Sequence, residues 1–141
     1  MKLLVALAIL TASASAAASD FCKRQPVDPE LPAGFSGNYQ IIGKDPRTGR
    51  TYSGTLAIRD GKRAYSLVHV VNSQISRGEA WFELCGMDKI KFLMGQYHTP
   101  SGPIDFSCRL GADGDNYYRA TCKTSVPQTN KTGLEAWFQN P

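Results

Sequence analysis

The sequence predicts an all-β fold: an antiparallel up-and-down barrel of about eight strands held by two disulfides, with a β-sandwich as the alternative. Three observations carry this. Eight short β-type runs follow one another between Ser36 and Phe138, separated by clusters of Gly, Pro, Asp and Asn. No window places apolar residues at helical spacing between caps. The connections are short, which suits neighbouring strands joined as hairpins.

In chain order, residues 1–18 read as a secretory signal peptide. Lys2 is the positive start, Leu3 to Leu10 is an apolar run, and Ala16-Ala17-Ala18 is an A-x-A cleavage pattern. The mature chain is expected to begin near Ser19 and to be secreted or periplasmic. The apolar run is too short to span a bilayer, and no later one is longer, so no transmembrane segment is expected. Residues 19–35 form a leading segment that Pro26, Pro29 and Pro32 keep extended and irregular. Residues 36–141 are the barrel domain.

The runs are Ser36 to Gly43, Arg50 to Arg59, Arg63 to Asn72, Glu79 to Cys85, Lys89 to Tyr97, Ile104 to Leu110, Tyr117 to Thr124 and Gly133 to Phe138. A polar connection is expected between Asn72 and Gly78. Strand side chains alternate between faces. Tyr52, Leu56 and Ile58 therefore share one face of the second run. Ile90, Phe92 and Met94 share a face of the fifth, opposite Lys89 and Lys91. Phe106, Cys108 and Leu110 share a face of the sixth. In the third run Val68 and Val70 face away from Leu67 and Val71, so that strand is covered on both sides or its register differs.

Cys22, Cys85, Cys108 and Cys122 all follow the cleavage point, and an even count in an exported chain reads as two disulfides. Cys108 and Cys122 lie on one face of the hairpin made by the sixth and seventh runs. Placed opposite each other, they put Leu110 across from Ala120 and close the turn near residue 115. That leaves Cys22–Cys85, and the up-and-down order brings the leading segment to the barrel end where Cys85 lies. No C-x-x-C or Cys/His pair stands at metal spacing, so no metal or other cofactor is expected.

The net charge of +4 comes from 16 basic and 12 acidic residues; without Lys2 it is 15 against 12, or +3. The basic residues are scattered, where a nucleic-acid protein would gather them into a stripe, so nucleic acid is not an expected partner.

Gly37-x-Tyr39, Gly43-Lys44-Asp45-Pro46-Arg47-Thr48-Gly49, Tyr52-Ser53-Gly54-Thr55-Leu56-x-Ile58 and Tyr65-x-Leu67 resemble the opening hairpins of small exported bacterial β domains of the fibronectin-binding-protein-like sort. The closing Gly133-Leu134-Glu135-Ala136-Trp137 is similar to their last strand. The resemblance covers about a third of the mature chain. It implies a calycin- or avidin-like barrel and a binding role, with no catalytic residues to carry over. Trp81-Phe82-Glu83-Leu84-Cys85 departs from the pattern.

Catalytic signatures are thin. No G-x-S-x-G elbow accompanies His69 or His98. Glu79 and Glu83 stand about 13 Å apart along a strand, too far for a glycosidase pair, and Glu135 approaches either only through folding. Asp113-Gly114-Asp115-Asn116 lacks the later ligands of a calcium loop and reads as a turn. Asn130-Lys131-Thr132 fits a glycosylation acceptor. In the pairs Trp81-Phe82, Tyr117-Tyr118 and Trp137-Phe138 one ring faces outward, or lies under the leading segment. Trp81, Tyr97, Tyr117 and Trp137 are the candidate binding residues. The expected function is a non-enzymatic binding protein for a protein partner or a small apolar ligand, an enzyme inhibitor being one version. The alternative is a small secreted hydrolase using His98 or His69.

Overall fold

The computed structural model describes residues 21–141 except positions 29, 31, 113, 115 and 116. The signal-peptide reading and three positions of the 113–116 turn lie outside the described residues. The strands are β1 (Cys22–Arg24), β2 (Gly37–Lys44), β3 (Thr51–Arg59), β4 (Tyr65–Val71), β5 (Gln74–Cys85), β6 (Ile90–Thr99), β7 (Gly102–Ala112), β8 (Tyr118–Ser125) and β9 (Thr132–Gln139). From β2 to β9 each strand pairs antiparallel with the next. β9 then closes on β2, with Ile41 opposite Trp137. The result is a closed eight-stranded up-and-down barrel plus one extra strand, the expected barrel rather than a sandwich. Among the described residues no helix is long and apolar enough to cross a membrane.

Both disulfides have the expected pairing. Cys108 lies directly opposite Cys122, and Leu110 opposite Ala120. Cys22 lies opposite Cys85. Such bonds persist in an oxidising compartment. The leading segment is less irregular than expected, because it carries β1. Pairing of β4 with β5 stops at Tyr65 and Ala80, while β5 runs on to Cys85. β1 fills the free edge beyond that point.

The turns at 45–50, 72–73, 100–101 and 126–131 gather at one end of the barrel, here the mouth. The opposite end, the base, is plugged by Phe35. Its ring meets those of Tyr39, Tyr65, Phe82 and Tyr118, with centroids 5.1–6.2 Å apart. The leading segment is fastened there by Tyr118 Oη donating to Ala33 O (3.0 Å) and Gln139 Nε2 donating to Gly34 O (2.6 Å). Tyr118 has the inward parity of Ala120 and Cys122 and lies half-buried against the Phe35 ring.

Three expectations are corrected. The polar connection after Asn72 is instead the first half of β5. Asn72 and Ser73 both have positive φ (51° and 62°) and make a two-residue hairpin between Val71 and Gln74, as a primed turn requires. The polar residues that followed disguised the strand. Second, the inward face of β6 is Leu93, Gly95 and Tyr97. Ile90, Phe92 and Met94 lie on the outer wall, Ile90 exposed and the other two half-buried. Lys91 shares the inward parity but sits at the base, where its chain extends over the Phe82 ring. Third, β4 has the ordinary alternation: Tyr65, Leu67 and His69 are buried inward, and Val68 and Val70 are half-buried outward.

Small inward residues make room for large ones. A Cβ on Gly95 would fall 2.2 Å from Phe106 Cζ. The Phe106 ring packs between Tyr97 and Trp137, so the lower and middle interior is a filled aromatic core.

Candidate functional site

Near the mouth the interior turns polar around one carboxylate. Glu135 lies on β9 with Gly133 and Trp137 on the inward face, and its side chain is fully buried. Oε2 accepts hydrogen bonds from Tyr52 Oη, from His69 Nε2 at 2.9 Å and from Tyr97 Oη at 3.4 Å. Oε1 accepts from Trp137 Nε1 at 2.5 Å. The indole can only donate. Two phenols, an indole and an imidazole thus converge on one buried carboxyl group.

The register explains how Tyr52 arrives. Tyr52 on β3 lies opposite Gly43 on β2, and Gly43 lies opposite Glu135 on β9. The phenol crosses the bare glycine to reach the carboxylate. From the other side of the barrel His69 stacks on Tyr97, with centroids 4.5 Å apart and planes 16° from parallel. Both phenols are held well above the ordinary tyrosine range. Burial is the main cause, followed by the field of Glu135; Asp45 adds a smaller contribution at Tyr52. The surroundings thus oppose negative charge on either ring.

Above this cluster is a cavity of about 140 Å³. Tyr52, His69, Ser76, Tyr97 and Ile104 form its floor and walls, and Gln74, Thr99, Ser101 and residues 45–48 form its rim. Glu135 lies behind the Tyr52, His69 and Tyr97 rings. Ser76 sits directly across from His69. It is 4 % exposed and lines the cavity wall. Asp45 Oδ1 shapes the rim by accepting from the Arg47 and Thr48 amides (2.7 and 3.0 Å). Arg47 reaches over to Thr99 Oγ1 (3.4 Å) and Pro103 O (3.0 Å), tying the β2–β3 loop to the β6–β7 hairpin.

The four candidate binding residues do not form one surface. Tyr97 and Trp137 are buried in the interior and meet at Glu135. Trp81 is half-buried on the outer wall, its Nε1 donating to Glu83 and its ring under the Arg24 guanidinium. Tyr117 is half-buried just before β8, at the base. Of the two histidines, His69 belongs to the cluster, while His98 is exposed on the outer wall opposite Pro103 and Arg77. Cys22, Glu83 and Cys85 bring ligand-type atoms together, but both sulfurs are spent in the disulfide.

Sequence reasoning passed over Glu135, Tyr52, Ser76 and the rim pair Asp45 and Arg47 as a group. One signal was available: Glu135 shares strand parity with Trp137, so an inward indole requires an inward carboxylate. Compared with models of protein families, with curated proteins and with solved structures, the chain gives no match.

Proposed function

We propose that this is an exported, non-enzymatic binding protein that holds a small ligand in the mouth of its barrel. The observation that carries the reading is the 140 Å³ cavity above a buried and fully hydrogen-bonded Tyr52–His69–Tyr97–Glu135 cluster, in a barrel otherwise filled. A buried charge costs several kcal/mol unless function or geometry compensates it, and barrel mouths are common ligand sites. The calycin- and avidin-like resemblance of the opening hairpins supports the same reading. The lining mixes polar and apolar groups, and the small volume suits a compact ligand better than an extended one.

Two observations favour binding over hydrolysis. The imidazole Nε2 is engaged by Glu135, and among the described residues no Ser or Thr hydroxyl is hydrogen-bonded to His69. Screening a fragment library against the mature, oxidised protein by NMR tests the proposal. Binders should shift the Ser76, His69 and Tyr97 amides. Hits confined to the outer wall would overturn it, and turnover lost on His69→Ala would return the hydrolase alternative.

A protein partner is the second reading. Ile42 and Leu134 are 54 % and 57 % exposed on adjacent strands of the outer wall, flanked by Ala136 and Thr121, and such patches mark contact surfaces. Pulldown lost on Leu134→Glu but kept on Tyr52→Phe would favour it.

A further inference from the structure

We infer that the outer wall formed by β8, β9, β2 and β3 docks an acidic protein, one whose contact patch has an apolar centre edged by carboxylates. This rests on the protein-partner reading of that wall, is independent of the mouth, and adds the sign of the partner's charge.

Strand register fixes the layout. On the outer face Leu134 of β9 stands between Lys44 of β2 and Lys123 of β8. Neighbouring strands lie about 4.8 Å apart, so the two lysines start about 10 Å from each other with the leucine between them. The next row is Ser53, Ile42, Ala136 and Thr121. Leu134 and Ile42 are 57 % and 54 % exposed. With the small Ala136 and the bare Gly43 beside them, they line a groove of about 510 Å³ that has Lys44 on its edge.

Three observations choose the occupant. Charge is the first. The outward residues of these four strands include Lys44, Arg59, Arg119 and Lys123, and no Asp or Glu. Lys44 and Lys123 are exposed, and among the described residues neither makes an ion pair. Neighbouring carboxylates are committed elsewhere. Glu135 is turned inward to its cluster, Asp45 accepts the Arg47 and Thr48 amides, and Asp105 on β7 accepts from Gln96. A second copy docked through the same wall would set lysine against lysine, whereas carboxylates around an apolar centre match it.

Backbone pairing is the second. β3, β2, β9 and β8 each have a partner strand on both sides. A partner therefore cannot add a strand here, and recognition falls to the side chains. The third is the company of the apolar pair. Thr51, Ser53 and Thr121 are exposed beside it. A protein can pair these hydroxyls and a lipid interior cannot, so the wall suits a protein contact better than a membrane.

The experiment uses the oxidised mature protein and one helical peptide frame with leucines along one face. The positions flanking the leucines carry Glu, Gln or Lys in three versions. Each is titrated at constant ionic strength and followed by amide shifts. The Glu version should shift Ile42, Thr121, Leu134 and Ala136 and bind several-fold tighter than the Gln version, with the Lys version weakest. Rising salt should erase that order. Lys44→Gln with Lys123→Gln should remove the preference for Glu and leave binding of the Gln version unchanged. Leu134→Ser should weaken the Glu and Gln versions alike. All three are exposed positions, and an unchanged circular dichroism spectrum shows that the variants fold. Equal binding of the three versions, preference for Lys, or indifference to the lysine changes would overturn the acidic partner while keeping the wall as a contact surface. Absence of wall shifts with every version would overturn both. So would self-association of the protein through Leu134, or binding to phosphatidylglycerol vesicles through the same residues with no peptide bound; the occupant would then be a second copy or a lipid surface.

Discussion

Tyr52 and Glu135 are joined across Gly43, a residue with no side chain between two strands that would otherwise keep them apart. A Cβ on Gly43 would fall 2.5 Å from the Tyr52 ring and 2.9 Å from Leu134 O. Gly43→Ala should therefore push the phenol off the carboxylate, costing about 1–3 kcal/mol for overpacking. Urea unfolding measures the loss. The loss of the Tyr52–Glu135 hydrogen bond should appear as a lowered titration of Tyr52, since the field and the bond of Glu135 both help to raise it.

Glu135 is the largest single liability in the interior. Glu135→Ala would leave Tyr52, His69, Tyr97 and Trp137 donors without their acceptor. A loss of about 3–5 kcal/mol is expected, the scale for removing one partner of a buried ionic pair. Glu135→Gln keeps an acceptor oxygen and should cost less. If both variants unfold at the same denaturant concentration as the parent, the cluster contributes no stability.

Alkali should unfold the protein rather than titrate it gradually. Tyr39, Tyr52, Tyr65 and Tyr97 are all raised above the ordinary value of 10.0, chiefly by burial. Their folded forms keep a proton that the unfolded chain releases. Their contribution is therefore fully present below about pH 10 and is lost as pH rises above it. Four of the six tyrosines should show no tyrosinate absorbance until circular dichroism reports loss of the barrel. Smooth ionisation of all six without unfolding would refute this.

The two disulfides should separate on reduction. Cys108 and Cys122 are fully buried, while Cys22 is exposed and Cys85 half-buried. A mild thiol should open Cys22–Cys85 first. Removing that link, which spans 63 residues, should cost about 4 kcal/mol in the chain-entropy model, against about 3 for the 14-residue link. Alkylation followed by peptide mass mapping gives the order.

Strand order and both disulfides followed from local features. The turn residues marked where the chain reverses. Parity put Cys108 and Cys122 on one face, and hairpin succession brought Cys22 to the end where Cys85 lies. These are near-neighbour relations, and a sequence states them directly. What parity does not state is which of two faces looks inward. On β6 the face with Ile90, Phe92 and Met94 was the more apolar, yet barrel closure buried Leu93, Gly95 and Tyr97. The first half of β5 was hidden because its inward positions, Ser76 and Gly78, line a polar mouth and a tight crossing rather than an apolar core.

The candidate site belonged to tertiary structure almost entirely. His69 and Glu135 are 66 residues apart and Tyr52 and Glu135 are 83 apart. They meet because β9 closes on β2 and because the opposite walls of an eight-stranded barrel are near enough for side chains to touch. The sequence by itself determined a disulfide-bonded meander of strands. Only closure, which converts inward parity into contact across the interior, decided that a carboxylate, an imidazole and two phenols would share one hydrogen-bonded cluster beneath an open mouth.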